Sequence, residues 1–309
     1  MLTTVVKRLL QGVFVLVMVM ILVFVLLRLI PGDPARQMLS VASEDAIAAL
    51  RAEMGLDKSI PEQFIVYIQN LLHGNLGYSY FQKADVATVI SDAIPKSALM
   101  LSLALVSAII FGFTFGLVAA IFSHTWVDKG ISAFCVMIQS LPNYWLAILL
   151  IQVICVKMKL LPASGYKGPE YILLPAFILA LPLIGIIGKS VRTNMIGSLS
   201  MDFVKAAKAR GVPGYTRLFG YALRNSLIPI LTLIGTQLGG LVGNCVIVEY
   251  IFSCPGVGLY ILNSILRRDY FLVQALVLFV SAVFIIVNTL IDIAYLYLDP
   301  RIRKAQGGL

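Results

Sequence analysis

A chain of 309 residues, 60% of them hydrophobic and only 13% charged, is no ordinary soluble domain, which sits nearer about 45–50% apolar and about 25% charged. The net charge of +9 would suit a nucleic-acid binder, but the apolar residues lie in long runs. In such a chain the bases act as topology signals, so nucleic acid is excluded as a partner.

Six runs are long enough to cross a bilayer, which takes about 20 apolar residues. They are Leu9–Ile30, Ser97–Phe122, Ile131–Val156, Ile172–Ile187, Ser226–Val248 and Phe271–Leu298. The expected fold is an all-α polytopic membrane protein with six transmembrane helices and a small helical extracytoplasmic segment after the first span. Residues 1–30 form the N-terminus and first span, 31–96 the external segment, and 97–309 a core with five spans.

The first run follows Lys7 and Arg8, as a signal peptide would, and Ser40-Val-Ala42 loosely imitates a cleavage site. The apolar run is too long and the site too distant, so a retained span is expected. In the segment that follows, Ser43 can cap a helix with Glu44 and Asp45 in its first turn. Ile47, Leu50 and Met54 share one face of that helix, and Gly55 ends it. A second helix begins near Pro61 and carries Phe64, Ile65, Ile68, Leu71 and Leu72 on one stripe, with Gly74 beyond it.

Glycines mark close helix approach: Gly112-x-x-x-Gly116 in the second span, and Gly235, Gly239 and Gly243 in the fifth. Packing within the bundle is expected over dimerisation. The fourth run is interrupted by Pro175, Pro182, Gly185 and Gly188 and is expected to extend toward Arg192.

After the fourth run come Lys189, Arg192, Lys205, Lys208, Arg210, Arg217 and Arg224 against the single acid Asp202. With Lys7, Arg8, Arg301, Arg303 and Lys304 they fall on one side of a six-span chain, which places both termini in the cytoplasm. Lys157, Lys159 and Lys167 run against this bias.

Within the basic segment Ser200 is a good N-cap and Asp202 suits a first turn. Phe203, Ala206, Ala207 and Arg210 share a face, and Gly211 with Pro213 terminates the helix. A short helix with a small-residue face suits docking to another protein. An amphipathic helix on anionic lipid is the competing reading, and it wants a wider apolar face.

Polar residues inside spans are functional by default or structural hydrogen-bond partners. Asn143, Gln237, Asn244 and Asp292 are the leading pathway or helix-contact candidates, beside Gln139, Gln152 and Asn288; Asp292 is the costliest to bury, with Arg28 or Arg267 as possible counter-charges.

No catalytic residue, cofactor site or metal site is expected. Cys135, Cys155, Cys245 and Cys254 form no Cys-x-x-Cys pair, and His73 and His124 are far apart. Gly188-Lys-Ser190 ends like a phosphate loop, but the first glycine of that pattern is replaced by Leu183. The chain itself is therefore not expected to bind ATP, and an energy source must come from elsewhere. A secondary transporter would want several mid-membrane carboxylates, and Asp292 stands alone.

Several pieces occur in a fixed order: Leu29-Ile-Pro-Gly-Asp-Pro34, Gly74-Asn-Leu-Gly-Tyr-Ser79, Leu160-Leu-Pro-Ala-Ser-Gly-Tyr166 and Ala222-Leu-Arg-Asn-Ser-Leu-Ile-Pro229. They continue with Val248-Glu-Tyr-Ile-Phe-Ser-Cys-Pro-Gly-Val-Gly258, Arg268-Asp-Tyr270 and Leu298-Asp-Pro-Arg301. Along nearly its whole length the chain thereby resembles the first membrane subunit of peptide/nickel-type ABC importers.

The resemblance implies a permease core with a coupling helix near 200–212 that docks to an ATPase through Phe203, Ala206, Ala207, Arg210 and Gly211. Where the general motif begins Glu-Ala-Ala, this chain has Lys205. The implied partners are a homologous second permease, two ATP-binding subunits and an extracytoplasmic solute-binding protein in a bacterial cytoplasmic membrane. The implied cargo is short peptides, with nickel, a metallophore–metal complex or glutathione as alternatives. Glu249 is expected to open an external segment near the outer mouth of the pathway.

Overall fold

A computed structural model describes residues 2–38 and 43–298, without the side chains of 2–5, 7, 38, 292 and 294–298. The expectations on Ser40–Ala42, Asp299–Arg301, Arg303 and Lys304, and on the side chains of Lys7 and Asp292, therefore lie outside the described residues.

The chain runs α1 (Leu2–Leu29), α2 (Pro34–Met38), α3 (Glu44–Glu53) and α4 (Ile60–Leu72), then a hairpin of β1 (Tyr78–Ser79) and β2 (Ala84–Asp85). The hairpin is antiparallel, with Tyr78 opposite Asp85 and Ser79 opposite Ala84. There follow α5 (Val86–Ile121), α6 (Trp126–Ser140), α7 (Asn143–Leu150, continuing as a π-helix over Ile151–Lys157), α8 (Glu170–Leu199) and α9 (Asp202–Ala209). A π-helix over Thr216–Leu223 leads into α10 (Arg224–Ile251), and α11 (Val257–Arg267) and α12 (Tyr270–Leu298) complete the described chain. Among the described residues five helices are long and apolar enough to cross a membrane, and the count is six if the bent pair α6–α7 forms one span. The molecule is an all-α polytopic membrane protein.

The third run departs from expectation. It starts earlier, at Trp126, and bends by 99° between α6 and α7. Leu141 is extended (φ −88°, ψ 130°) before Pro142, as the ring of a following proline demands. Pro175 and Pro182, which interrupt the fourth apolar run, sit inside the continuous α8, which extends past Arg192 to Leu199 as expected. The most apolar stretch of α8 is 72% buried, against 11% for the first span; packed neighbours can hold a helix together across missing donors.

Two compact units are built from the chain: Met1–Ser97 with Pro255–Ile286, and Ala98–Cys254 with Val287–Leu309. In the first, the Ser43 hydroxyl accepts from Ala46 N at 3.4 Å to cap α3. Ile47, Leu50 and Met54 pack with Ala35, Leu56, Tyr80 and Phe271, and Gly55 takes φ +67°. α4 carries a capping box of Ser59 and Glu62. Its inner stripe is narrower than expected: Phe64, Tyr67, Ile68 and Leu71 are half-buried, whereas Ile65 and Leu72 flank that i, i+3, i+4, i+7 row and are exposed.

The second long helix begins at Val86 rather than Ser97. Val86, Val89, Ile90 and Ala93 pack against Val257, Leu272, Ala275 and Leu276. Asp92, Pro95 and Lys96 hid this helical start from a hydropathy reading, yet Pro95 lies inside the helix.

The order-and-spacing motifs of this unit meet in space. A Cβ on Gly32 (φ +125°) would fall 1.5 Å from Arg268 Nη1, so only glycine leaves that guanidinium its place. Ser79 donates to Asp269 Oδ2 at 2.5 Å, and Phe271 covers Gly77. Three segments separated by much of the chain thus lock together around Arg268–Phe271.

In the second unit α8 is central. A Cβ on Gly112 would meet Ile184 O at 2.9 Å and one on Gly116 would meet Gly188 O at 2.4 Å, so this glycine pair sets α5 directly on α8. In α10 Gly235 is buried but Gly243 is exposed with open space around it, so the fifth-span pattern is not one continuous packed seam. Gly165 N donates to Phe252 O at 2.8 Å, which joins two further motif segments. Glu249 does not open an external loop: it lies within α10, fully buried, and accepts from the Cys245 thiol at 3.3 Å.

Candidate functional site

The polar segment between α8 and α10 carries α9, a helix of eight residues. Ser200 is not its cap; the Ser200 hydroxyl donates to Gly197 O at 2.7 Å and finishes α8. Met201, in an extended conformation, precedes the first turn, and its carbonyl accepts from Val204 N and Lys205 N at 3.0 and 3.1 Å. Asp202 pairs with Lys205 at 3.0 Å. At the other end Val212 N donates to Ala207 O at 3.1 Å and Gly211 N to Lys208 O at 3.0 Å, with Gly211 at φ +75°. That is a Schellman motif, and its left-handed residue favours glycine.

The faces of α9 are sorted differently from expectation. Val204 and Ala207, one turn apart, are 3% and 0% exposed. Phe203, Ala206 and Arg210 are exposed. Ala207 therefore belongs to the face turned onto the chain itself, with Val204 as its partner, and the accessible face is Phe203, Ala206 and Arg210. A valine one place from the expected stripe supplies the apolar anchor, because an isolated eight-residue helix is marginal without packing.

The loop that bears α9 is closed at its base by a buried polar clamp that the sequence reading missed. Ser198 at the end of α8 and Ser226 in the first turn of α10 share a hydrogen bond of 2.9 Å between their hydroxyls. Asn225 Nδ2 donates to Ser198 Oγ at 3.0 Å. Ser226 Oγ lies 3.0 Å from Asn194 O and 2.8 Å from Ala222 O, so its single proton is shared there and the Ser198 proton goes to Ser226. Both Asn225 and Ser226 lie in the Ala222–Pro229 motif; a polar pair entering a span was the available signal.

A second missed pair sits nearby in chain terms. Asp128, at the start of α6, is 2% exposed. Its carboxylate takes both Arg192 Nε and Nη2, the latter at 2.7 Å, and also accepts His124 N at 2.9 Å and Ser132 Oγ at 3.2 Å. The two-pronged geometry ties α6 to α8. Arg192 was read only as a topology charge.

The intramembrane polar candidates do not converge. Asn143 is half-buried at the start of α7, Gln237 half-buried and Asn244 exposed on α10, and Gln152 exposed. Gln139 donates to Cys135 O of its own helix at 2.9 Å. Among the described residues no three metal-ligating side chains gather.

The family pattern of binding-protein-dependent transport system inner membrane components matches residues 112–304, and that of the N-terminal part of such membrane components matches residues 1–104. The chain belongs to this family of transport-system membrane components. The permease is 33% identical over 306 residues to a probable peptide ABC transporter permease protein of Sinorhizobium fredii, covering 96% of this chain and 98% of that one. It is 35% identical over 306 residues to a putative peptide transport system permease protein of Brucella abortus, at 96% and 98% coverage. With the glutathione transport system permease protein GsiC of Escherichia coli it shares 34% identity over 304 residues, covering 98% and 99%. A permease of this family is a membrane component of an ABC system and is not its catalytic subunit.

Proposed function

We propose that the chain is the peptide-conducting permease subunit of an ATP-binding-cassette importer. The observation that supports this above the others is the 33–35% identity to peptide permeases along 96% of the chain. In this reading it resides in a bacterial cytoplasmic membrane with both termini in the cytoplasm. It pairs with a homologous permease, two ATP-binding subunits and an extracytoplasmic solute-binding protein. It binds no cofactor itself; ATP is held by the partner subunits.

The accessible Phe203–Ala206–Arg210 face of α9 docks to the ATPase, and Gly211 closes the helix so that this face is presented. Closure of the ATPases pushes α9, and the Ser198–Ser226 clamp passes the displacement to α8 and α10 together. That is a two-state rigid-body mechanism. Asn143, Gln237 and Asn244 are pathway-side candidates in this reading, as is Asp292, whose side chain is undescribed.

Glutathione import is the second reading, motivated by the 34% identity to GsiC over 98% of the chain. Uptake of a labelled dipeptide, labelled glutathione and nickel is to be compared in a strain lacking this chain. Loss of dipeptide uptake alone is expected. Loss of glutathione uptake with normal dipeptide uptake selects the second reading, and loss of nickel uptake alone overturns both.

A further inference from the structure

The first unit contains a cavity of about 190 Å³ that the transport reading does not use. It is bounded by the end of α1, by α4 and the turn before it, and by the start of α12. Arg28, Tyr67, Asn70, Tyr270 and Gln274 are among its lining residues with Lys58, and so is the carboxylate of Glu53, whose Oε1 accepts from the Tyr80 hydroxyl at 3.0 Å.

Two of these groups are unbalanced as they stand. Gln274 is 5% exposed, and its Nε2 has no hydrogen-bond partner. Arg28 gives Nε to Gln63 Oε1 at 2.9 Å and Nη1 to Phe24 O at 3.1 Å, both neutral acceptors. Its guanidinium lies 3.3 Å from the Phe24 ring centroid. Among the described residues no carboxylate pairs with it. A cation with neutral partners and an orphaned amide donor on one cavity call for an anionic oxygen ligand, since buried donors and charges are ordinarily satisfied.

The position narrows the ligand. The apolar span of α1 ends at Leu29 and that of α12 begins at Tyr270. The cavity therefore lies at the depth of span ends, where headgroups sit and where Arg and Tyr anchor. An arginine that merely anchored at the interface would account for Arg28 but leave Gln274 without a reason.

We propose that this cavity binds a phosphate group, held by the Arg28 guanidinium and by the Gln274 amide, which turns out of its closed position to meet it. The guanidinium fork matches phosphate oxygens. A lipid headgroup phosphodiester and free phosphate share this chemistry, and two arms of one experiment separate them.

The full chain, with the subunits that co-purify, is extracted in mild detergent as wild type, Arg28→Gln and Gln274→Leu. Native mass spectrometry reads retained phospholipid; melting of delipidated protein with added inorganic phosphate reads free anion. Losing one charge-assisted bond is expected to lower occupancy about tenfold or more. Gln274→Leu removes an unsatisfied amide, so its melting temperature without phosphate is expected to equal or exceed wild type. It therefore tests the site in a folded protein.

Phospholipid retained by wild type and lost from both variants supports the site with lipid as the source. A phosphate-induced rise in melting temperature confined to wild type supports it with free phosphate as the source. Equal lipid retention in all three proteins, with no phosphate-dependent shift, overturns the proposal.

Discussion

Ser198 and Ser226 stand 28 residues apart and share a buried hydroxyl–hydroxyl hydrogen bond of 2.9 Å. Everything between them is the α9 loop and its π-helical return. Any force applied to α9 therefore enters the bundle through two helices fastened at the same point. Asn225 reinforces the fastening from the α10 side, donating to Ser198 Oγ at 3.0 Å. The clamp is wholly side-chain in origin, so it can be removed without touching the helices.

Ser226→Ala is expected to destabilise the chain by about 1 kcal/mol, the net worth of a buried neutral hydrogen bond. Ser198→Ala should cost a similar amount, and the double variant less than the sum, because residues in one network couple. Melting of the assembled transporter reads the stability. Basal ATP hydrolysis should persist while stimulation by loaded binding protein falls. Additive melting shifts with full stimulation would show that the two hydroxyls do not act as a clamp.

The two faces of α9 should separate in mutagenesis. Phe203→Ala and Ala206→Arg alter the exposed face, so the chain should accumulate normally yet recover less ATPase on purification. Ala207→Arg places a long cation where a fully buried alanine sits, and overpacking of this kind costs roughly 1–3 kcal/mol or more; the chain itself should accumulate poorly. Gly211→Ala meets no neighbour within 4 Å, so its cost is the positive φ alone, about 1 kcal/mol. Normal ATPase recovery with Ala206→Arg would remove α9 from the docking role.

Hydropathy alone made most of the fold legible, because long apolar runs have one stable solution in lipid. It could not say which proline breaks a helix. Pro142 does and Pro175, Pro182, Pro95 and Pro229 do not, although Pro95 and Pro229 are exposed as Pro142 is. Caps were legible where side chain and backbone are local, as at Ser43, and misread at Ser200, where two helices compete for one hydroxyl. Helix α9 was legible as a helix, but its inward face was not, because Val204 and Ala207 are chosen by a surface elsewhere in the chain. Paired residues such as Asp128 with Arg192 carry no local pattern at all.

Asp128 is buried and Arg192 is partly so, at 3% and 30% side-chain exposure. Removing one partner of such a pair leaves a charge without its counter-ion. Arg192→Met is expected to cost about 2–3 kcal/mol, below the fully buried limit because water reaches the guanidinium. The paired change Asp128→Leu with Arg192→Met should recover much of that loss. Melting of the three variants measures it, and a double variant as unstable as Arg192→Met would show that the ion pair is not what holds α6 to α8.

Asp269 gives the chain a pH dependence of defined sign. Burial pushes its carboxyl above the ordinary aspartate value, outweighing the Ser79 hydroxyl and Leu272 N–H that favour the charged form. The folded chain thus prefers the protonated acid more than the unfolded chain does. The contribution is complete below the unfolded value of about 4 and is lost as pH rises through the folded value. Asp269→Asn cannot ionise; its single carbonyl oxygen keeps the Leu272 N contact, and its amide group donates to Ser79 Oγ where the carboxylate accepted from it. Relative to that variant, wild type should lose melting temperature from pH 4 upward and then hold a constant offset once the carboxyl is fully charged. Glu62 works in the opposite sense, since its Ser59 hydrogen bonds lower it, and its contribution fades as pH falls below about 4.5. The difference between wild type and Asp269→Asn cancels Glu62 and every other titrating group. Parallel melting curves for the two proteins from pH 4 to pH 8 would show that Asp269 ionises as freely in the folded chain as in the unfolded one.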